Sequence, residues 1–541
     1  MRRKAFTIGL LFSLTLTFTP GAAQTGAGEL PWWNDRVFYE IFVRSFHDSD
    51  GDGIGDLQGL ISKLDYLNDG DPTTTDDLGI TGIWLMPVAQ SPSYHGYDVM
   101  DYREIESDYG TNEDFRQLVA EAHRRGIAVI VDLVMNHTSS QHPWFVEAKN
   151  PDSAYRNWYI WVKDHPGYLG PWGQQVWYPL GDSFYYGLFW RGMPDLNYNY
   201  PPVTEAMYDI VRFWLEEMGA DGFRLDAVRH LIEQGEQQAD TPATLAWLVN
   251  YDDFIDTVNP DALTVGEVWT NSLVVSSYIK KDALDLAFEF DLADAMVQSA
   301  QSGMPSDVRL FQKQVSQLYP PGQYATFLTN HDQPRLMTQL AGDMGAAKVA
   351  AALLLTSPGV PFIYYGEEIG MTGDKPDECI RTPMQWDDSP PAAAFTLGLP
   401  CETLPPEAYA SAHVAAQAGD PDSLLSHYRA LIHLRNDHAA LRRGDYLAVE
   451  SNSRLVYGFA RHLPGDGDET LLVVVNPSRE PVRDYALSLA EGPLSGDVKA
   501  TLLFGEGEIS APAVNTAGGF ESYLPLPEMP ARSAVIIQLG E

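Results

Sequence analysis

Short apolar runs rich in β-branched and aromatic residues recur along the chain from about residue 37 to residue 437. They occupy 37–42, 82–86, 128–133, 222–225, 263–268, 284–290, 325–328 and 360–364. Most are followed by a stretch whose apolar positions fall on one helical face, as in 112–125 and 203–218. Eight strand–helix repeats in series predict an α/β fold, a (β/α)8 barrel of parallel strands ringed by helices. Chemistry in such a barrel sits where the strands end, because the loops there build the active face. The connection after the third strand, 137–202, is far longer than its neighbours and is expected to be an inserted domain. It holds Trp144, Trp158, Trp161, Trp172, Trp177 and Trp190, six of the 13 tryptophans, and a core role is expected for most of these rings. After about residue 441 the period changes to short alternating runs at 455–460, 470–475, 497–503 and 534–539, which predicts an antiparallel β-sandwich with a packing role. The expected organisation is therefore barrel 24–136, insert 137–202, barrel 203–440 and sandwich 441–541.

The first 23 residues lie outside this pattern. Arg2, Arg3 and Lys4 precede an apolar core and then Pro20-Gly21-Ala22-Ala23, which reads as a secretory signal peptide cleaved after Ala23. A secreted location, extracellular or periplasmic, follows as an expectation, and no other segment looks transmembrane. The two cysteines, Cys379 and Cys401, could pair in an oxidising compartment or remain as two thiols.

Charge narrows the function. The chain carries 74 Asp and Glu against 35 Lys and Arg, a net −39. Removing the three leader cations takes it to −39 − 3 = −42. A field of that sign excludes nucleic-acid backbone and anionic membrane as partners, since both require basic patches. An acid excess this large suits work in salt, where counterions screen self-repulsion. An ordinary acidic secreted enzyme from an arginine-favouring genome is the alternative.

Polar residues crowd the strand ends. The third strand runs into Asp132 and then Asn136-His137, the fourth into Arg224-Leu225-Asp226, the fifth into Glu267-Val268-Trp269 and the seventh into Asn330-His331-Asp332. Core packing accounts for one or two such residues. It does not account for carboxylates at four strand ends. Aromatic faces beside carboxylates suit sugar rings, whose C–H faces stack on them.

Five stretches, 132–137, 193–197, 222–230, 266–269 and 327–332, carry this chemistry in order. Through them the chain resembles the α-amylase family of glycoside hydrolases, family 13, from about Trp33 to the C-terminus. The resemblance implies that Asp226 is the nucleophile, Glu267 the general acid/base and Asp332 the carboxylate that holds the sugar hydroxyls. A retaining glycosidase needs two carboxyls about 5 Å apart, one to attack the anomeric carbon and one to protonate the leaving oxygen. Glu267 is thus expected to be raised by burial and neighbouring charge, with Arg224 keeping Asp226 ionised. The resemblance also implies that His137 and His331 bind the sugar before the cleaved bond, that Tyr97 stacks on it, that Arg224 belongs to the substrate-binding set, and that Arg229 and His230 contact sugar beyond the cleaved bond.

Two calcium sites are expected. Asp48, Asp50, Asp52, the carbonyl of Ile54 and Asp56 alternate with glycines much as in the start of an EF-hand loop, although Gly59 stands where the bidentate Glu would be. The second site is implied by the resemblance alone: Asn136, Asp195 and the carbonyl of His230, clamping the insert to the barrel.

Within the family, His95 stands where exo-acting α-glucosidases carry an Asp that closes the pocket, and Arg229-His230 resembles the Lys-His pair of α-amylases. Ala227 stands where relatives preferring α-1,6 bonds tend to carry Val. Arg381-Thr382-Pro383-Met384-Gln385-Trp386 and 193–197 resemble the oligo-1,6-glucosidases and neopullulanases instead. The expectation is a monomeric, endo-acting, retaining α-amylase acting on an α-glucan substrate at internal α-1,4 bonds, with some transglycosylation. An exo-acting α-glucosidase or oligo-1,6-glucosidase is the rival. A non-catalytic amylase-like binding subunit is disfavoured by the presence of Asp226, Glu267 and Asp332 together.

Overall fold

The computed structural model describes residues 30–389, 395, 412–465 and 468–540. The expected leader and Cys401, and with it the bridge to Cys379, lie outside the described residues. No helix among the described residues is long and apolar enough to cross a membrane.

The eight barrel strands are β1 Phe38–Ile41, β2 Gly82–Leu85, β3 Ala128–Leu133, β4 Gly222–Leu225, β5 Leu263–Gly266, β6 Leu286–Ala287, β7 Ala325–Thr326 and β8 Val360–Tyr364. All are parallel, in the order β6-β5-β4-β3-β2-β1-β8-β7. A bridge between Phe288 and Ala325, with Glu289 N–H donating to Ala325 O at 3.0 Å, closes the ring. Strands buried on both faces explain why the sequence shows continuous apolar runs rather than alternation. Period two still sorts the side chains. Phe38, Trp84, Ile130, Leu263, Val265, Phe288 and Phe362 fill the interior, while Tyr39, Ile83, Val131 and Phe223 join the core shared with the helices.

The same alternation explains the site. Two residues on from Phe38, Ile130, Gly222 and Val265, the inward positions are Glu40, Asp132, Arg224 and Glu267. One register layer above an apolar core, the barrel becomes charged.

The insert builds a three-stranded antiparallel sheet from Trp161–Val162, Ser183–Tyr186 and Trp177–Leu180. Trp177 lies in its small core, and Trp161 stacks on Phe145 at 5.8 Å. Trp144 and Trp158 pack together at 4.6 Å. Trp172 and Trp190 do not join them and stand 62% and 47% exposed.

Seven strands follow: β9 Asp445–Ser451, β10 Tyr457–Leu463, β11 Glu469–Asn476, β12 Leu487–Leu489, β13 Lys499–Phe504, β14 Phe520–Tyr523 and β15 Ser533–Gly540. Their order is β13-β15-β11-β10-β9-β12-β14. β9 pairs with β10 along its first part and with β12 at Glu450 and Ser451, so the sheet turns a corner there. Leu472, Val474 and Ile537 from one half and Leu487, Phe520 and Tyr523 from the other share one core, giving the expected sandwich.

Two buried arginines lie where the sandwich meets the barrel: Arg461 crosses the seam, and Arg435 stays within the barrel. Arg461 on β10 donates to Thr356 O at 2.9 Å and Gly444 O at 2.8 Å. Arg435, on helix Leu424–Asp437, donates to Leu355 O, Ser357 O and Gly359 O at 2.9, 3.1 and 2.7 Å. Together they satisfy the carbonyl end of helix Met344–Thr356, where orphan acceptors and the helix dipole favour a cation.

Candidate active site

β4 carries Arg224 inward, and the chain leaves the strand at Asp226 through Ala227, whose φ of 49° places it in the left-handed region. The ladder continues just past the strands: Asp226 N–H donates to Leu133 O and Glu267 N–H to Leu225 O. Asp226 and Glu267 therefore stand side by side at the mouth of the ring. Arg224 joins them from below. Its Nη1 lies 2.7 Å from Asp226 Oδ1 and 2.9 Å from Asp132 Oδ2, and its Nη2 lies 2.8 Å from Glu267 Oε2. Ala227 N–H also donates to Glu267 Oε2 at 3.2 Å.

Burial raises the Glu267 carboxyl above its ordinary range, with the charges of Asp226 and Asp332 adding to it and Arg224 opposing. The direction of this shift is the one expected for Glu267. Asp226 is raised too: burial outweighs the Arg224 guanidinium there, contrary to the sequence expectation. Asp132, with no exposed side-chain surface, is pushed up by burial to about 7, with Arg224 opposing.

Asp332 behaves in the opposite way. Burial pushes it up, but His331, then Arg381 and Arg224, hold it below the ordinary carboxylate range. His331 Nε2 lies 3.1 Å from Asp332 Oδ2, and Arg381 Nη2 lies 2.8 Å from Asp332 Oδ1.

The other expected residues assemble around this centre. Tyr97 lies parallel to the His331 ring at 5.5 Å and donates from its hydroxyl to Asp132 Oδ2 at 3.0 Å. His137, which burial lowers to about 4, sets its Nε2 at 3.0 Å from the Tyr97 carbonyl. Arg229 pairs with Asp240 and donates to the Trp269 carbonyl, while His230 Nδ1 sits 2.7 Å from Gln238 O. A cleft of about 750 Å³ is lined by Tyr97, His137, Asp226, Arg229, His230, Glu267 and Asp332. Arg224 and His331, expected to bind substrate, do not line it. They lie behind the carboxylates, in contact with Asp226, Glu267 and Asp332.

Four aromatic residues of the cleft wall, Trp172, Phe189, Trp190 and Trp269, were not singled out from sequence as binding residues. Trp269 is 46% exposed, with its ring stacked on Phe290 at 4.6 Å. A signal existed for two of them. Trp172 and Trp190 sit among glycines in Gly170-Pro171-Trp172-Gly173 and Trp190-Arg191-Gly192, whereas Trp161 and Trp177 lie in strands.

Both places where calcium is expected gather oxygen atoms. Carboxylate oxygens of Asp48, Asp50 and Asp56 lie within 4.8 Å of one another. Asp52 is not in that cluster, and its Oδ1 accepts from Ile54 N–H at 2.8 Å. At the second site Asn136 Nδ2 donates to Asp195 Oδ2 at 3.1 Å, leaving Asn136 Oδ1 buried without a hydrogen-bond partner. Glu233, three residues after His230, adds a buried unpartnered Oε1. Burial and then the Asp195 charge push its carboxyl up. Among the described residues neither Asp195 nor Glu233 forms an ion pair. An all-oxygen set with two uncompensated carboxylates fits a hard divalent cation.

Comparison with known proteins agrees with this geometry. The alpha-amylase catalytic-domain family matches residues 40–444. Alpha-amylase 3 of Dictyoglomus thermophilum is 40% identical over 83% of this chain and 86% of its own length. The oligo-1,6-glucosidase of Parageobacillus thermoglucosidasius is 33% identical over 84% of this chain and 91% of its own. The crystal structure of the alpha-amylase from H. orenii superposes with a TM-score of 0.78 at 42% identity, covering 93% of this chain and 99% of that one. A barrel with carboxylates at these strand ends and a family match over most of its length makes the chain a member of the α-amylase family of glycoside hydrolases, family 13.

Proposed function

We propose that the chain is a secreted, retaining, endo-acting α-amylase that hydrolyses internal α-1,4 bonds of starch and maltooligosaccharides. The observation that carries this reading is the open cleft itself. His95 occupies the wall position where a pocket-closing Asp would block a long chain, and exposed Trp172, Trp190 and Trp269 line the cleft as platforms for further sugars.

In this reading Asp226 attacks the anomeric carbon while Glu267 gives its proton to the departing glycosidic oxygen. Water then replaces Asp226 at that carbon and returns a proton to Glu267, restoring the starting configuration. A sugar hydroxyl in place of water gives transglycosylation. Asp332, kept charged, holds the hydroxyls of the distorted ring. Tyr97 stacks beneath it, and Arg229 and His230 face the leaving side.

A product time course on soluble starch, maltotriose and isomaltose tests the choice. Rapid loss of iodine colour with mixed short products is expected. Glucose as the sole product, or faster attack on isomaltose, would replace the reading with the oligo-1,6-glucosidase one. That second reading is favoured by the 33% identical relative and by residues 381–386.

Calcium is proposed at both oxygen clusters, where it would neutralise buried carboxylates and tie the insert to the barrel. Exhaustive chelation is expected to lower the melting temperature, and added Ca2+ to restore it. A ligand bound only by the native state contributes about 2.7 kcal/mol at a hundredfold excess over its Kd. An unchanged melting point, with no metal on elemental analysis, would remove both sites. The partner is the neutral α-glucan, and a monomer needs no further subunit to complete the site.

A further inference from the structure

β1 brings a carboxylate into the interior of the barrel. Alternation from Phe38 turns Glu40 inward, where it is 2% exposed and does not line the cleft. Its Oε1 lies 2.5 Å from His331 Nδ1. The other ring nitrogen, Nε2, faces Asp332 Oδ2 at 3.1 Å and the Tyr97 hydroxyl at 2.7 Å. The tyrosine proton is directed to Asp132 Oδ2, so its oxygen accepts from the imidazole. An ionised carboxylate only accepts. With a carboxylate on each side, both ring nitrogens must donate, and a histidine that donates from both is an imidazolium.

The surrounding charges show which acid sustains that state. The anions facing His331 are Glu40, Asp132, Asp226 and Asp332. The cations are Arg224, which faces Asp332, and Arg381, whose Nε donates to the His331 carbonyl at 2.9 Å. Tyr97 faces the ring, and Tyr364 lies beside Glu40 on β8. Asp132 and Asp226 are paired with Arg224, and Asp332 with Arg381. Among the described ion pairs, Glu40 alone belongs to His331 and to no arginine.

We propose that Glu40 is a positioning residue of the reaction: it keeps His331 charged from behind, and His331 in turn holds the Asp332 carboxylate in place for the sugar. The proposal rests on the role given above to Asp332. His331 is raised to about 9 against the effect of burial, with Asp332 and then Glu40 as the sources.

The test is a pH titration of the intact protein labelled with 15N-histidine, with the His331 signals identified by their loss in His331→Gln. Wild-type His331 is expected to carry protons on both nitrogens up to about pH 9. Glu40→Gln keeps the shape and loses the charge, so deprotonation should move down by about 1 to 3 pH units. On the best wild-type substrate its kcat/KM should be about tenfold lower at pH 8, and within about twofold of wild type at pH 5.5, since each pKa unit is a factor of ten in population. Glu40→Asp, which keeps the charge, should retain the His331 signals and the pH profile.

A wild-type His331 that is singly protonated at pH 7 would overturn the proposal without any variant. So would coincident titrations of wild type and Glu40→Gln, or an Asp variant that behaves like the Gln one. A wild type inert on every α-glucan would instead defeat the amylase reading, and the spectra would still decide the state of His331.

Discussion

Asp226→Asn is expected to lower kcat on soluble starch by about 10⁴-fold or more, a barrier increase of about 5.4 kcal/mol, while the protein stays folded. An amide cannot form the glycosyl ester, so the first bond exchange has no nucleophile. The fold should survive because the amide oxygen can still accept from Arg224, which keeps Asp132 and Glu267 as partners. Glu267→Gln should differ in kind. Its loss should be severe on starch and much smaller on an aryl maltoside, whose leaving group departs without a proton. Initial rates on both substrates separate the roles. Activity retained by Asp226→Asn would remove it as nucleophile, and equal losses on both substrates would remove Glu267 as the acid.

Arg224→Met should have the largest effect on stability, about 3 to 5 kcal/mol at pH 8. The substitution leaves Asp132, Asp226 and Glu267 buried without the guanidinium that all three share. The sign of the pH dependence follows from their raised folded values. A carboxyl that ionises later in the folded chain than in the unfolded one supports stability below its unfolded pKa and loses that support as pH rises through the folded value. Asp132 already does so between about 3.9 unfolded and about 7 folded. Removing Arg224 raises all three further, so the deficit should be larger at pH 8 than at pH 5. Chemical denaturation at the two pH values measures it, and equal deficits would show that packing rather than charge is lost.

The barrel and its carboxylates were legible because one physical fact produces both signals. Strands buried on two faces are mostly apolar, so polar residues gathered at the C-terminal ends of the runs mark the exit from the core. Asp226, Glu267 and Asp332 each stand at or just past such an end. Contacts set by closure of the ring were not legible. Glu40 and His331 meet across 291 positions of sequence, and nothing local shows that β1 and β7 come to flank β8 when the ring closes. Arg381 shows the same limit: its sequence context suggested bond preference, while its contact with Asp332 required the loop after β8 to fold back over the site. β9, β12 and β14 were missed for a different reason. β9 is mostly half-exposed or exposed, β12 is three residues long and β14 buries only its two ends, so none shows a clear alternation. Glu233 lacks any spacing cue, since Asn136 and Asp195, the other side chains expected at that site, come from other loops.

The arginines beneath the sandwich set how the molecule fails. Neither Arg435 nor Arg461 has a carboxylate partner among the described ion pairs. Their charges are solvated by main-chain carbonyls of residues 355–359 in the barrel and of the connection at Gly444. Parting the two halves would strand a bare guanidinium on one side and dry carbonyls on the other. A break in the chain near Gly444 would therefore leave both pieces gripping each other, and heat would melt them in a single event. In this enzyme the tail cannot be shed or exchanged like a cassette, because the barrel's own helix ends inside its grasp.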